Sequence, residues 1–198
     1  IVNDEATQLS SVKREGDIVG YNNDGIVKWS GVFSQAEYSN GMLSAFFNIS
    51  GSNSAYKRID YFRKKDLVLS DTIIKEAIGT HSYFGEIVSD TVIFNGIEYT
   101  INSEEAQFAS TAWKWIQGYT IKTGANINLD EYNNVFFNMG YISKAPRFQN
   151  VFDYDNSMFK AIKNEIVKAV ESGYSFRSSL FSANVNTYYT IWENKPSK

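Results

Sequence analysis

The chain has 198 residues, 43% hydrophobic and 16% aromatic, which suits one large domain or a domain with a small appendage. Its formal net charge is −3, and the densest basic cluster, Lys57-Arg58 with Arg63-Lys64-Lys65, is short, so nucleic acid is not an expected partner. The chain holds no cysteine, which excludes disulfides, thiolate metal sites and thiol nucleophiles, and no apolar run approaches the ~20 residues of a membrane helix.

In chain order, residues 4–14 suit a short helix after an Asn3 cap. Residues 17–21 and 26–30 suit two strands about the turn Asn22-Asn23-Asp24-Gly25. Residues 42–49 are apolar enough for a strand, 51–54 suit a turn, and 55–62 alternate as a half-buried strand does. Residues 72–78 follow a Ser70 or Asp71 cap and stop at Gly79, the pattern of a short helix, and 82–88 suit a strand.

Asn95-Gly96 lies between two apolar runs and is the strongest hairpin signal in the chain, because a type I′ turn needs positive φ at both central residues. The register follows: Phe94 opposite Ile97, Ile93 opposite Glu98, Val92 opposite Tyr99. Strand alternation then puts Val92, Phe94, Ile97, Tyr99 and Ile101 on one face, the expected core face.

Asn102 as N-cap with Glu105 three residues on predicts a helix over residues 103–117, with Phe108, Ala112, Trp115 and Ile116 as its apolar stripe and Gly118 as its stop. Residues 119–123 suit a strand, 124–128 a turn, and 129–139 a helix ending at Gly140. The clearest helical stripe, Phe159, Ile162, Ile166, Val167 and Val170, predicts a second main helix over 157–172, closed by Gly173. Residues 174–193 suit a hairpin turning near Ser182-Ala183-Asn184. The expected fold is α+β: an antiparallel sheet packed on one face by the helices 103–117 and 157–172. One domain, 1–198, is expected, with 1–65 a candidate β-rich subdomain.

His81 is the only histidine, so a Ser-His-Asp triad must use it and a His-rich metal site is excluded. Glu104 and Glu105, with Glu86 and Glu98 nearby in sequence, are candidate catalytic carboxylates, although capping and dipole compensation account for the adjacent pair. Asp153-Tyr154-Asp155-Asn156-Ser157 begins like a calcium loop but lacks its glycine and final glutamate, so helix initiation is preferred and no metal is assigned. No glycine-rich phosphate loop is present, and no cofactor is expected. Trp29, Trp113, Tyr188 and Trp192 are the candidate binding residues, since such side chains offer flat apolar faces with polar edges; Tyr188 and Trp192 share strand parity.

The run Gln107-Phe108-Ala109-Ser110-Thr111-Ala112-Trp113 resembles a papain-like peptidase half, but the nucleophilic cysteine and a downstream histidine are missing and no activity carries over. Ser103-Glu104 after a hairpin, with a late Ile191-Trp192, resembles the NADAR N-glycosidases only in order, since spacing and motif residues differ. Neither family is assigned.

The sequence therefore points to a non-catalytic binding or assembly module for a protein or glycan partner. Its Asn- and Tyr-rich composition suits a secreted, cell-surface or virion protein, with a homo-oligomer as a candidate state. The alternative is a small hydrolase or glycosidase using carboxylates from Glu86, Glu98, Glu104 and Glu105, with His81.

Overall fold

The computed structural model describes Glu15, Ile18 and residues 22–83, 86–153 and 157–195. Its strands are β1 Asn23–Ser39, β2 Leu43–Asp60, β3 Lys65–Val68, β4 Ile73–Ile78, β5 Thr80–Tyr83, β6 Glu86–Ser89, β7 Val92–Phe94, β8 Ile97–Tyr99, β9 Ala106–Gln107, β10 Ala109–Ser110, β11 Lys114–Asn128, β12 Asn133–Lys144, β13 Glu165–Arg177 and β14 Ser182–Glu193. Among the described residues the single helical element is a 3₁₀ turn, Phe148–Asn150. The fold is nearly all β, not the expected α+β.

Both main helices are strands. Residues 103–117 contain a turn, the short β9 and β10, and the start of β11. Ser103 makes that turn: its Oγ accepts from the Thr100 N–H at 2.9 Å, and its carbonyl accepts from the Ala106 N–H at 3.0 Å. Residues 157–172 run into β13, which is paired along its length with β12 on one side and β14 on the other. The apolar residues read as a helical stripe, Ile166, Val167 and Val170, are β-branched and fit a sheet between two neighbours better than a lone helix. The shorter expected helices over 72–78 and 129–139 are β4 and the start of β12. The expected helix over 4–14 and most of the calcium-like run lie outside the described residues.

The chain divides into two compact units, Ile1–Val27 with Tyr56–Lys114 and Phe152–Met158, and Lys28–Ala55 with Trp115–Val151 and Phe159–Lys198. In the first, β3 pairs with β4 and β9, and the hairpins β5–β6 and β7–β8 stand beside them in sequence. The β7–β8 hairpin has the register read from the sequence, with Asn95 at φ 51° and Gly96 at φ 81°. Tyr99 is buried with Leu67, Ile78 and Ala106, and Val92, Phe94 and Ile101 pack against that cluster, whereas Ile97 is 56% exposed. Strands β3, β4 and β9, rather than a helix, supply the partners of this core.

The second unit is built on one sheet, in the order β1-β2-β11-β12-β13-β14. Its three short connections share one device. In each turn one polar side chain near its start accepts backbone N–H groups two and three residues on: Asn40 Oδ1 from Met42 and Leu43, Asp130 Oδ1 from Tyr132 and Asn133, Ser178 Oγ from Leu180 and Phe181. The Tyr132 N–H first, then the Asn133 side-chain amide and N–H, hold the Asp130 carboxyl below its ordinary value. The last hairpin thus turns at 178–181, a few residues before the expected 182–184.

Candidate functional site

The registers of β11 to β14 sort the side chains onto two faces. On one face the rows run Ile127, Val135, Tyr174, Val185; then Ala125, Phe137, Ser172, Thr187; then Thr123, Met139, Val170, Tyr189; then Ile121, Tyr141, Lys168, Ile191. On the other they run Asn128, Asn134, Ser175, Asn184; then Asn126, Phe136, Gly173, Asn186; then Gly124, Asn138, Glu171, Tyr188; then Lys122, Gly140, Ala169, Thr190. Over these rows period-two alternation separates a mostly apolar face from a more polar, glycine-rich one, although the next row of the second face, Thr120, Ile142, Val167, Trp192, is apolar.

The apolar face is open. Phe137, Met139, Val170 and Tyr189 are exposed, Tyr189 by 68%, and Val185 and Ile191 are exposed beside them. Its few hydroxyls are bonded within the sheet: Ser172 Oγ lies 3.0 Å from Thr187 Oγ1, and Thr123 Oγ1 donates to the Phe46 carbonyl at 2.8 Å. Its first charged residue is Lys168, at one end of the band, where the ammonium meets Glu193 at 2.5 Å. Tyr119 and Tyr141 stack at 5.6 Å at that same end. Tyr174 and Phe176 stand toward the other.

The connections complete the geometry. β1 to β2, β11 to β12 and β13 to β14 close in three- or four-residue turns at 40–42, 129–132 and 178–181. β2 to β11 and β12 to β13 instead pass through 61–113 and 145–164. Because β11 to β14 run antiparallel in sequence order, their short and long connections leave from opposite ends of the sheet.

The polar face carries a cavity of about 800 Å³ bounded by β1, β2, β11 and β12, lined by amide side chains and by Phe46 and Phe136. A second cavity, about 620 Å³, belongs to the first unit. It is lined by Lys57, by the ion pairs Arg63–Glu76 and Lys75–Asp66, and by Trp113.

The expected binding residues are spread over separate segments. Trp29 lies on β1 and is 69% exposed, while Tyr188 and Trp192 lie on β14 at the opposite edge of the strand order, both on the polar face as their parity required. Trp113 is half-buried in the first unit's cavity. Among the candidate acids, Glu86, Glu98 and Glu104 are exposed and Glu105 is half-buried in a turn; none lines either cavity. His81 is exposed and shares Asp90 with Lys64, at 3.0 and 2.7 Å. The Lys64 hydrogen bond first, with the Gly79 N–H and His81 adding to it, holds the Asp90 carboxyl below its ordinary value against the opposing effect of burial. Among the described residues no group of three or more acids and histidines could hold a metal ion. What sequence reasoning missed is the apolar face itself, whose signal was the odd-numbered run Trp115, Tyr119, Ile121, Ile127 and its even-numbered counterpart Ile166, Val170, Tyr174, Phe176.

Comparison with protein-family models, with curated proteins and with solved structures finds no match. No helix among the described residues is long and apolar enough to cross a membrane, a statement that does not touch crossing by strands.

Proposed function

We propose that the second unit is a segment of a β-barrel wall that crosses a lipid bilayer, and that the chain serves as a non-catalytic surface module rather than an enzyme. The observation that carries this reading is the exposed, mostly apolar face of β11 to β14, set back to back with a more polar one by period-two alternation. In water such a face costs roughly 25 cal/mol per Å² of apolar surface left uncovered, which calls for an occupant.

Three features favour acyl chains over a protein partner. From Tyr119 to Ile127 the positions of β11 on this face, Thr123 among them, cover ~26 Å of strand at ~3.3 Å per residue, which a tilt of ~40° reduces to ~20 Å, close to the apolar band of outer-membrane-type barrels. Aromatic side chains stand toward both ends of the band, and the charged pair Lys168 with Glu193 is at an end, where headgroups and water can solvate it. Short turns at one end and long connections at the other are the pattern of such barrels. Among the described residues β1 and β14 each pair on one side only, so a bilayer-embedded sheet needs further strands, from more of the chain or from other copies, to satisfy those edges.

The experiment is a spin-label scan. The chain has no cysteine, so single cysteines at Phe137, Asn138, Met139, Gly140 and Tyr141 can be labelled without background. In vesicles, collision with lipid-soluble oxygen should be high at 137, 139 and 141 and low at 138 and 140. Equal accessibility along the strand, or an alternation unchanged when lipid is removed, sinks the reading and favours a protein partner.

A further inference from the structure

We infer that the polar face of the second unit holds a binding site for a neutral oligosaccharide. The cavity of about 800 Å³ is within the range of ligand sites, and its floor is unusual in being both aromatic and amide-rich: Phe46 and Phe136 lie among Gln35, Asn48, Asn126 and Asn138. Its charged lining residues, Glu37 and Lys122, balance, so the site selects neither an anion nor a cation.

Glycines seat the two rings. A Cβ at Gly124 would stand 2.6 Å from Phe46 Cε1 and 2.0 Å from Asn138 Oδ1, and one at Gly173 would stand 2.3 Å from Phe136 Cε1. Each ring therefore reclines across the backbone of a neighbouring strand instead of standing off the sheet, the close approach that only glycine permits. A reclining ring turns its surface to the cavity, where the C–H face of a pyranose can stack on it. The amides suit the hydroxyls. Each carries a donor and an acceptor, so one side chain can serve two vicinal hydroxyls at once. The Asn126 side chain has no hydrogen-bond partner among the described residues, and two neighbouring contacts are long, Asn48 Nδ2 donating to Gln35 Oε1 at 3.2 Å and Asn138 Nδ2 to Glu171 Oε2 at 3.4 Å, while Gln35 Nε2 donates to Glu37 Oε1 in a short bond. A sugar hydroxyl can replace the two long contacts at little loss.

The site is on the face opposite the apolar one, so it goes beyond the bilayer reading and does not need it. Calorimetric titration of the detergent-solubilised full chain with maltoheptaose, cellopentaose and mannopentaose tests it without a bilayer. Saturable binding of at least one probe is expected, weakened about five- to tenfold by Asn126→Leu and by Phe136→Leu and unchanged by Tyr189→Phe on the apolar face. Near-ultraviolet circular dichroism checks each fold; if Phe136→Leu misfolds, Asn126→Leu with Asn126→Asp decides. No saturable binding of any probe, or binding that the Asn126 variants leave intact, overturns the inference. Sugar binding by a chain that fails to enter vesicles would overturn the bilayer reading alone.

Discussion

Met139→Arg puts the bilayer reading under the greatest strain. Met139 occupies the third of the four rows described on the apolar face, opposite Thr123 on β11 and Val170 on β13, and is 48% exposed. In water, an arginine at so open a position costs within about 0.5 kcal/mol, because the guanidinium keeps its hydration. In a bilayer the same position is near the middle of the band, where an arginine on the lipid face of a barrel costs about 2–4 kcal/mol, a roughly 30- to 700-fold loss in the folding equilibrium. Ile166→Arg, in the row of Glu193 at the band's end, should cost only ~0–1 kcal/mol, and Asn138→Arg on the polar face a similar amount. The assay is reversible unfolding in urea, followed by tryptophan fluorescence, with the full chain in short-chain phosphatidylcholine vesicles and again without lipid. The depth gradient is the decisive quantity. If Met139→Arg and Ile166→Arg shift the midpoint equally, or if the large loss at 139 persists in lipid-free buffer, the face is covered by protein and the reasoning is refuted.

Two predictions concern the first unit. Gly96→Ala should destabilise the β7–β8 hairpin by about 1 kcal/mol, purely through the backbone, because Gly96 has φ 81° and a methyl group added there would meet nothing within 4 Å; faster amide exchange confined to residues near 92–99 is the measurement. Asp90 sets a pH dependence. Its folded value lies below the unfolded ~3.9, so its contribution is present at pH above about 5 and is lost as pH falls through the folded value. With Lys64 half-exposed the effect is about 0.5–1 kcal/mol, and Asp90→Asn should flatten the stability profile between about pH 5 and 3; an unaltered profile contradicts the assignment.

Glycine marks where local reading and tertiary structure part. Gly118 and Gly173 each follow an apolar stretch, which predicts helix stops, and Gly124 begins a stretch that predicts a turn. All three lie inside long strands. What requires them is across the sheet: a Cβ at Gly118 would meet Ser52 Oγ at 2.8 Å and the Ser143 carbonyl at 2.9 Å, as those at 124 and 173 would meet Phe46 and Phe136. No window of sequence around 118 contains Ser52. The apolar spacing there was equally ambiguous, since Trp115, Tyr119 and Ile121 satisfy a period of two as well as their neighbours satisfy a helical one.

The sequence alone determined what depends on a few adjacent residues: the Asn95-Gly96 turn and its register, the burial of Tyr99, the shared face of Tyr188 and Trp192, and the absence of thiol chemistry. Positive φ and strand parity are local properties, so they could be read locally. The tertiary structure decided the rest, because β2 finds β11 across 53 intervening residues and β12 finds β13 across 20, counted from 61–113 and 145–164. Backbone hydrogen bonds made at that distance turned helix-like stripes into strands, and only then did an apolar face and a polar one exist at all.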